Sequence, residues 1–167
     1  MIIRPIKDTD IPYMYDFTKK AFSTAYVSDG NEQDYASNVR ASNLYIKELE
    51  QVVEEDSRVV GDVMFSNFVL PYNIKALLLN IVCIDIDFRN KGLGKSLIEV
   101  ALTKAKDMGY EVVFLAGDPK FYSKMGFKPS IEFGLKNTNN FDDRYILCKE
   151  LTKGVLDNIE GPFDFAV

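Results

Sequence analysis

The spacing of apolar residues changes several times along this chain, and each change predicts an element. Met1 to Ile6 is short and rich in isoleucine, and Asp8-Thr9-Asp10 follows with side-chain oxygens that can cap free helix amides, so a strand should lead into a helix. Ile11, Met14, Phe17, Ala21 and Phe22 recur at helical spacing to about Ala25, with Pro12 tolerated in the first turn. Asp29-Gly30 breaks the pattern. A second helix is expected from near Asn31, presenting Tyr35, Val39, Ser42, Tyr45 and Leu49 on one side.

From Gln51 the residues become β-branched and aromatic: Val52-Val53, a turn at Asp56-Ser57, then Val59 to Phe65, which reads as a hairpin. Pro71-Tyr72-Asn73 supplies another turn, and Ala76 to Asp85 is a nearly continuous apolar strand interrupted by Asn80. Leu93, Leu97, Ile98, Ala101, Ala105 and Met108 form a stripe with Lys95, Glu99, Lys106 and Asp107 opposite, and Gly109 falls where a left-handed cap belongs. Glu111 to Ala116 is a strand, Asp118-Pro119 starts a short helix ending at Gly126, and Phe127 to Phe133 and Arg144 to Leu151 are further strands. Between those two strands lies the polar stretch Lys136 to Asn140, and the tail after Gly154 either packs back on the sheet or frays.

The length of 167 residues suits one domain, 1–167, and 47 % apolar residues with 12 Phe and 9 Tyr supply its core. A net charge of −5 without any basic run argues against nucleic acid as a partner. No apolar run is long enough for a membrane helix, and Met1 to Pro5 does not look like a signal peptide, so a cytoplasmic protein without membrane attachment is expected, monomeric or homodimeric. Cys83 and Cys148 sit in strand-like runs and read as small hydrophobes; with no histidine in the chain, no metal site is expected.

Chemistry concentrates where the apolar strand enters its helix: Arg89-Asn90-Lys91-Gly92-Leu93-Gly94-Lys95-Ser96. Glycines let a ligand approach the backbone, the first-turn amides have no internal acceptors, and the helix dipole adds partial positive charge, so the turn can hold a pyrophosphate. Arg89, Lys91 and Lys95 add cationic donors. Neither a Walker loop nor a dinucleotide fingerprint is present. The spacing alone also fits an ordinary strand-to-helix turn with solvated charges.

Arg89, Gly92 and Gly94 match the signature Arg/Gln-x-x-Gly-x-Gly/Ala of the GNAT family of N-acetyltransferases. Val59 to Ser66 is similar to that family's central hairpin, and Gly117-Asp118-Pro119-Lys120-Phe121-Tyr122-Ser123-Lys124-Met125-Gly126-Phe127 resembles its later helix, most closely in the YhbS-like branch of predicted N-acetyltransferases. The resemblance implies an α/β (α+β) fold: a mixed, mostly antiparallel sheet of about seven strands flanked by helices, in the order β-α-α-β-β-β-α-β-α-β-β, with the fourth and fifth strands splayed. It implies that acetyl-CoA lays its pantetheine arm along the backbone of Val82, Cys83 and Ile84 and its pyrophosphate on the amides from Asn90 to Ser96.

By the same resemblance Tyr122 is the general acid or thiolate hydrogen-bond donor, although packing in the pair Phe121-Tyr122 also explains it. Some family members carry a glutamate base on the fourth strand; here that stretch reads Leu77-Leu78-Leu79-Asn80, leaving Asn80 to position a water or simply to satisfy its own hydrogen bonds. Asp62, Asp85 and Asp118 remain candidates for the base, each with an ordinary reading as well: an exposed strand position, a loop residue before the phosphate turn and a helix cap. Cys83 lacks a histidine to activate it as a nucleophile. The expected activity is acetyl transfer to an amine of a small molecule or peptide. The alternatives are an acyl-CoA-binding sensor or interaction module of the same fold without catalysis, and a structural domain that binds no CoA.

Overall fold

In the computed structural model, which describes residues 1–165, the chain forms a seven-stranded sheet and a smaller two-stranded one. The large sheet comprises β1 (Ile2–Pro5), β2 (Gln51–Glu55), β3 (Arg58–Phe68), β4 (Ala76–Ile84), β5 (Val112–Ala116), β6 (Lys128–Pro129) and β8 (Ile146–Glu150), in the order β1-β2-β3-β4-β5-β8-β6. β7 (Leu135–Asn137) and β9 (Gly161–Phe163) make the small one. The helices are α1 (Ile11–Ser23), α2 (Glu32–Ala41), α3 (Leu93–Asp107) and the single turn α4 (Pro119–Tyr122). β1–β2, β2–β3, β5–β8 and β6–β8 are antiparallel, and β4–β5 is parallel. The parallel ladder pairs Ala76–Leu78 with Val112–Phe114, and β4 runs on past it to Ile84. This is the mixed, seven-stranded sheet with splayed fourth and fifth strands that the family resemblance implies.

The described residues cluster into two compact units. In the first, Met1–Ser66 with Leu79–Ala105, α1 buries Met14, Thr18 and Ala21, and Met14 packs with Ile6 and Val52. α2 sets Ala36 and Val39 on Met64 and Ile81. α3 buries Leu97, Ile98, Ala101, Leu102 and Ala105, the stripe read from the sequence, each large side chain contributing roughly 1.5–3 kcal/mol. Gly61 lets the layers close: a Cβ there would lie 2.8 Å from Ile84 Cδ1 and 3.3 Å from Leu97 Cδ1. In the second, Asn67–Leu78 with the segment from Lys106 on, the rings of Phe68, Phe114, Phe163 and Phe165 pack with centroids 5.1 to 6.5 Å apart. The tail therefore packs back, through β9 paired with β7, rather than fraying.

Four expectations need correction. α2 ends at Ala41, so Ser42, Tyr45 and Leu49 lie beyond it, Tyr45 in an isolated bridge to Ser66 and Leu49 in the 3-10 turn Lys47–Leu49. The strand expected over Phe127 to Phe133 is only Lys128–Pro129, because Ser130–Phe133 turns as a 3-10 helix into a left-handed Gly134. Asp10 does not cap α1 with its side chain; its carboxylate takes Arg4 Nη1 at 2.7 Å and the Lys7 amide at 2.8 Å.

The fourth correction concerns Asp62, which is fully buried rather than exposed. Arg40 Nη2 lies 3.1 Å from Asp62 Oδ2 and 2.5 Å from Glu50 Oε1, with Glu50 equally buried, and the Tyr45 hydroxyl donates to Glu50. One guanidinium between two carboxylates is neutral only when one carboxylate carries a proton. Burial first, then the charge of Glu50, push Asp62 well above the usual carboxylate value against the pull of Arg40, which favours a proton held by the carboxylate pair. Its contribution to stability is complete below about pH 4, the unfolded value, and is lost as pH rises through the higher folded one. Arg40→Met should cost about 3–5 kcal/mol in urea unfolding at pH 7. Asp62→Asn should gain on wild type as pH is raised, and a stability difference independent of pH would contradict the shared proton.

Candidate functional site

The strand-to-helix turn is built from the end of β4 outward. The Asp85 amide donates to the Val60 carbonyl at 2.9 Å, which ties the residue just after the strand to β3. Backbone groups alternate sides along a strand, so Cys83 also faces β3, and the amide and carbonyl of Val82 and the amide of Ile84 project from the opposite edge. The Asp85 carboxylate then accepts from the Asp87 amide at 3.1 Å, starting the 3-10 turn Ile86–Phe88, and from Lys20 Nζ at 3.2 Å. Burial raises the Asp85 pKa, but the Asp87 amide and the Lys20 ammonium outweigh it and hold the carboxylate below its usual value.

Arg89 is the centre of this construction. Its Nε donates to Ile84 O at 2.9 Å, Nη1 to Thr24 O at 2.9 Å and Nη2 to Ala21 O at 2.5 Å. The guanidinium is thus committed to the carbonyl at the end of β4 and to two at the C-terminal end of α1, where backbone donors run out and Ala21 O also takes the Thr24 hydroxyl, at 3.1 Å. The sequence pointed to Arg89 as a cation reaching a ligand; its side chain instead fixes the shape of the turn.

Asn90 and Gly92 take left-handed conformations, φ 59° and 77°, and α3 begins at Leu93. The Ser96 amide closes the first turn on Gly92 O at 3.0 Å, and the amides of Leu93, Gly94 and Lys95 precede it, where a helix offers no carbonyls. A Cβ at Gly92 would meet nothing within 4 Å. Lys91 Nζ bonds Asp87 O at 3.1 Å and lies 5.0 Å from the Phe88 ring centre, while Lys95 pairs loosely with Glu99 at 3.7 Å. The arrangement presents backbone donors flanked by two cations, suited to an extended anion.

Asn80, in β4, donates from Nδ2 to the Tyr35 hydroxyl and to Ser66 Oγ, each at 3.0 Å. Its amide oxygen is buried and has no partner among the described residues. Cys83 and Cys148 are free and buried, and burial pushes the Cys83 thiol well up, which makes it inert as a nucleophile.

Tyr122, in the second unit, is 8 % exposed and ringed by aromatics, Phe121 at 4.9 Å and Phe127 at 5.7 Å between centroids. Asp118 caps α4 by accepting the Lys120 amide at 2.9 Å, as its sequence position suggested. Burial alone raises the Tyr122 phenol to about 12. Among the described residues none hydrogen-bonds its hydroxyl, so packing fixes the ring and leaves the oxygen uncommitted. Sequence reasoning missed Arg40 and Glu50, whose partner Asp62 lies 22 residues from Arg40. Gly117 has no signal in the sequence beyond its motif, yet a side chain there would collide with the Tyr122 ring.

Residues 33–129 match a family model described as "Acetyltransferase (GNAT) domain". No curated protein matches the sequence. Among solved structures, the GNAT family N-acetyltransferase YhbS from Escherichia coli in complex with CoA is similar with a TM-score of 0.87 at 22 % identity, over 99 % of this chain and 89 % of that one. A GNAT family acetyltransferase from Brucella melitensis in complex with acetyl-CoA gives 0.71 at 25 % identity, over 90 % and 87 %. The PaiA N-acetyltransferase from Thermoplasma acidophilum in complex with coenzyme A gives 0.61 at 17 %, over 89 % and 98 %.

Replacing Arg89 with lysine should cost about 2 kcal/mol in chemical denaturation, since one ammonium cannot span three carbonyls in the fork geometry. Gly92→Ala should cost only about 1 kcal/mol, from its left-handed backbone and not from crowding. A larger loss for Gly92→Ala than for Arg89→Lys would contradict this division of roles.

Proposed function

This chain belongs to the GNAT acetyltransferase family, and on that premise we propose that it transfers the acetyl group of acetyl-CoA to an amine of a small molecule or peptide by direct attack. The observation that carries the reading is the turn from Arg89 to Ser96, with first-turn amides at Leu93, Gly94 and Lys95 that have no acceptor among the described residues and two adjacent lysines. The complexes of the E. coli and Brucella proteins with CoA and acetyl-CoA support it. The pyrophosphate lies against those amides, between Asn90 and Ser96, with Lys91 and Lys95 beside it and Arg89 holding the turn. The pantetheine arm pairs with the outward backbone of Val82 and Ile84, next to Cys83. The free, buried thiols of Cys83 and Cys148 fit a cytoplasmic site of action.

In the reaction the amine nitrogen forms a bond to the thioester carbon, negative charge develops on the carbonyl oxygen, and the C–S bond then breaks to release the CoA thiolate while the attached nitrogen gives up its surplus proton to solvent and becomes the amide. A lysine-like amine is protonated about a thousand to one at pH 7 and must first lose a proton. β4 carries no carboxylate in Leu77-Leu78-Leu79-Asn80, so the proton leaves through a water positioned by Asn80, whose amide oxygen is unpartnered. Tyr122, with its phenol at about 12, is a poor acid toward a thiol near 8.5. It therefore donates a hydrogen bond to the departing thiolate and keeps its proton.

The missing carboxylate favours one second reading, a CoA-binding module without turnover. Thiol release measured against a panel of amines, amino acids, polyamines and peptides separates the two. Acetyl-CoA at a hundredfold excess over Kd should raise the melting temperature by about 5–10 °C, and Gly92→Glu or Gly94→Glu should abolish that shift. An unchanged shift in both variants would place the pyrophosphate elsewhere. With a reactive amine, log kcat/KM should climb with unit slope from neutral pH to the amine's own pKa, with no falling limb from Tyr122 below about pH 12. A plateau near pH 7 would reveal an enzyme base.

A further inference from the structure

Gly117 follows β5 and precedes the Asp118 cap of α4, and its amide donates to the Tyr145 carbonyl at 2.9 Å. Its backbone is not left-handed, so no turn geometry calls for glycine here. What excludes a side chain is the Tyr122 ring. A Cβ at position 117 would sit inside the van der Waals envelope of Tyr122 Cε2, 3.0 Å from Cδ2, and 3.1 Å from Leu115 Cδ1. The Leu115 methyl is the far end of a flexible chain and can yield. The Tyr122 ring is packed edge-on by Phe121 and Phe127 at 4.9 and 5.7 Å and is 8 % exposed, so a side chain at 117 makes room only by displacing the ring from that packed position.

We propose that Gly117 is a positioning residue for the reaction: with Phe121 and Phe127, its bare α-carbon walls the slot that holds the Tyr122 ring, and so sets where the hydroxyl stands. The inference rests on the role assigned to Tyr122 above. Ordinary Cβ contacts begin at 3.4 Å. Any side chain at 117 therefore pushes the ring by about 1 Å, a misplacement that can cost about a hundredfold in rate. Acetyl-CoA affinity is set by the separate turn at Arg89 to Ser96 and should not change.

A double-mutant cycle tests this. Gly117→Ala should lower kcat about 100-fold while acetyl-CoA Kd stays within about twofold. In a Tyr122→Phe background, already slow for lack of the hydroxyl, Gly117→Ala should produce no further loss, because nothing remains to be positioned. Equal losses in both backgrounds, or full activity in Gly117→Ala, would overturn the proposal. Full activity in Tyr122→Phe would instead remove the role assigned to Tyr122 itself. The contact is also read without activity. Gly117→Ala should lower the melting temperature by roughly 5 °C, and have no such effect in a Tyr122→Ala background where the ring is gone. The same drop in both would show that the slot is not what demands glycine.

Discussion

A single guanidinium holds the turn on which the rest of the site depends. Arg89 spreads its donors over Ile84 O, Ala21 O and Thr24 O, joining the last residue of β4 to the end of α1 and fixing the direction in which the chain enters α3. The first-turn amides of α3 owe their presentation to that clamp. Lys20 on Asp85 repeats the connection a few residues away with a partly solvated ammonium, which contributes less. A planar, permanently charged fork suits three carbonyls at different angles, and no other side chain does.

Much of the polar chemistry of the chain is spent on holding shape. Arg40 holds the buried carboxylates of Glu50 and Asp62, burial favours a proton on the pair, and the Tyr45 hydroxyl completes the group. The groups given a part in the reaction are backbone amides, the unpartnered amide oxygen of Asn80 and a phenol that keeps its proton. None of these changes charge at neutral pH. Such a site relies on placement more than on acid–base exchange, which is why close packing, as at Gly117 and Gly61, carries weight for function.

What was legible in the sequence was periodic or local. The stripe from Leu93 to Met108 and the left-handed Gly109 needed only helical spacing and one glycine, and Asp118-Pro119 needed only a cap and a permitted proline. The Asp56-Ser57 turn, with both residues left-handed, was marked by its residue types. What failed was decided by partners distant in sequence. Asp62 looked exposed because an unpaired buried carboxylate is costly, and its compensation comes from α2. Asp10 looked like a cap until Arg4 claimed its carboxylate. Arg89 was recognised as important by motif, yet its acceptors at Ala21 and Thr24 lie more than sixty residues away. Phe127 to Phe133 had strand-like residues, but the turn into Gly134 ends the strand at Pro129.

The central claim, that α3's first turn carries the pyrophosphate of acetyl-CoA, is tested most directly by following backbone amide resonances during titration with CoA. The account predicts that the amides of Leu93, Gly94 and Lys95 shift and saturate together. It would be contradicted if CoA bound while those three resonances stayed in place.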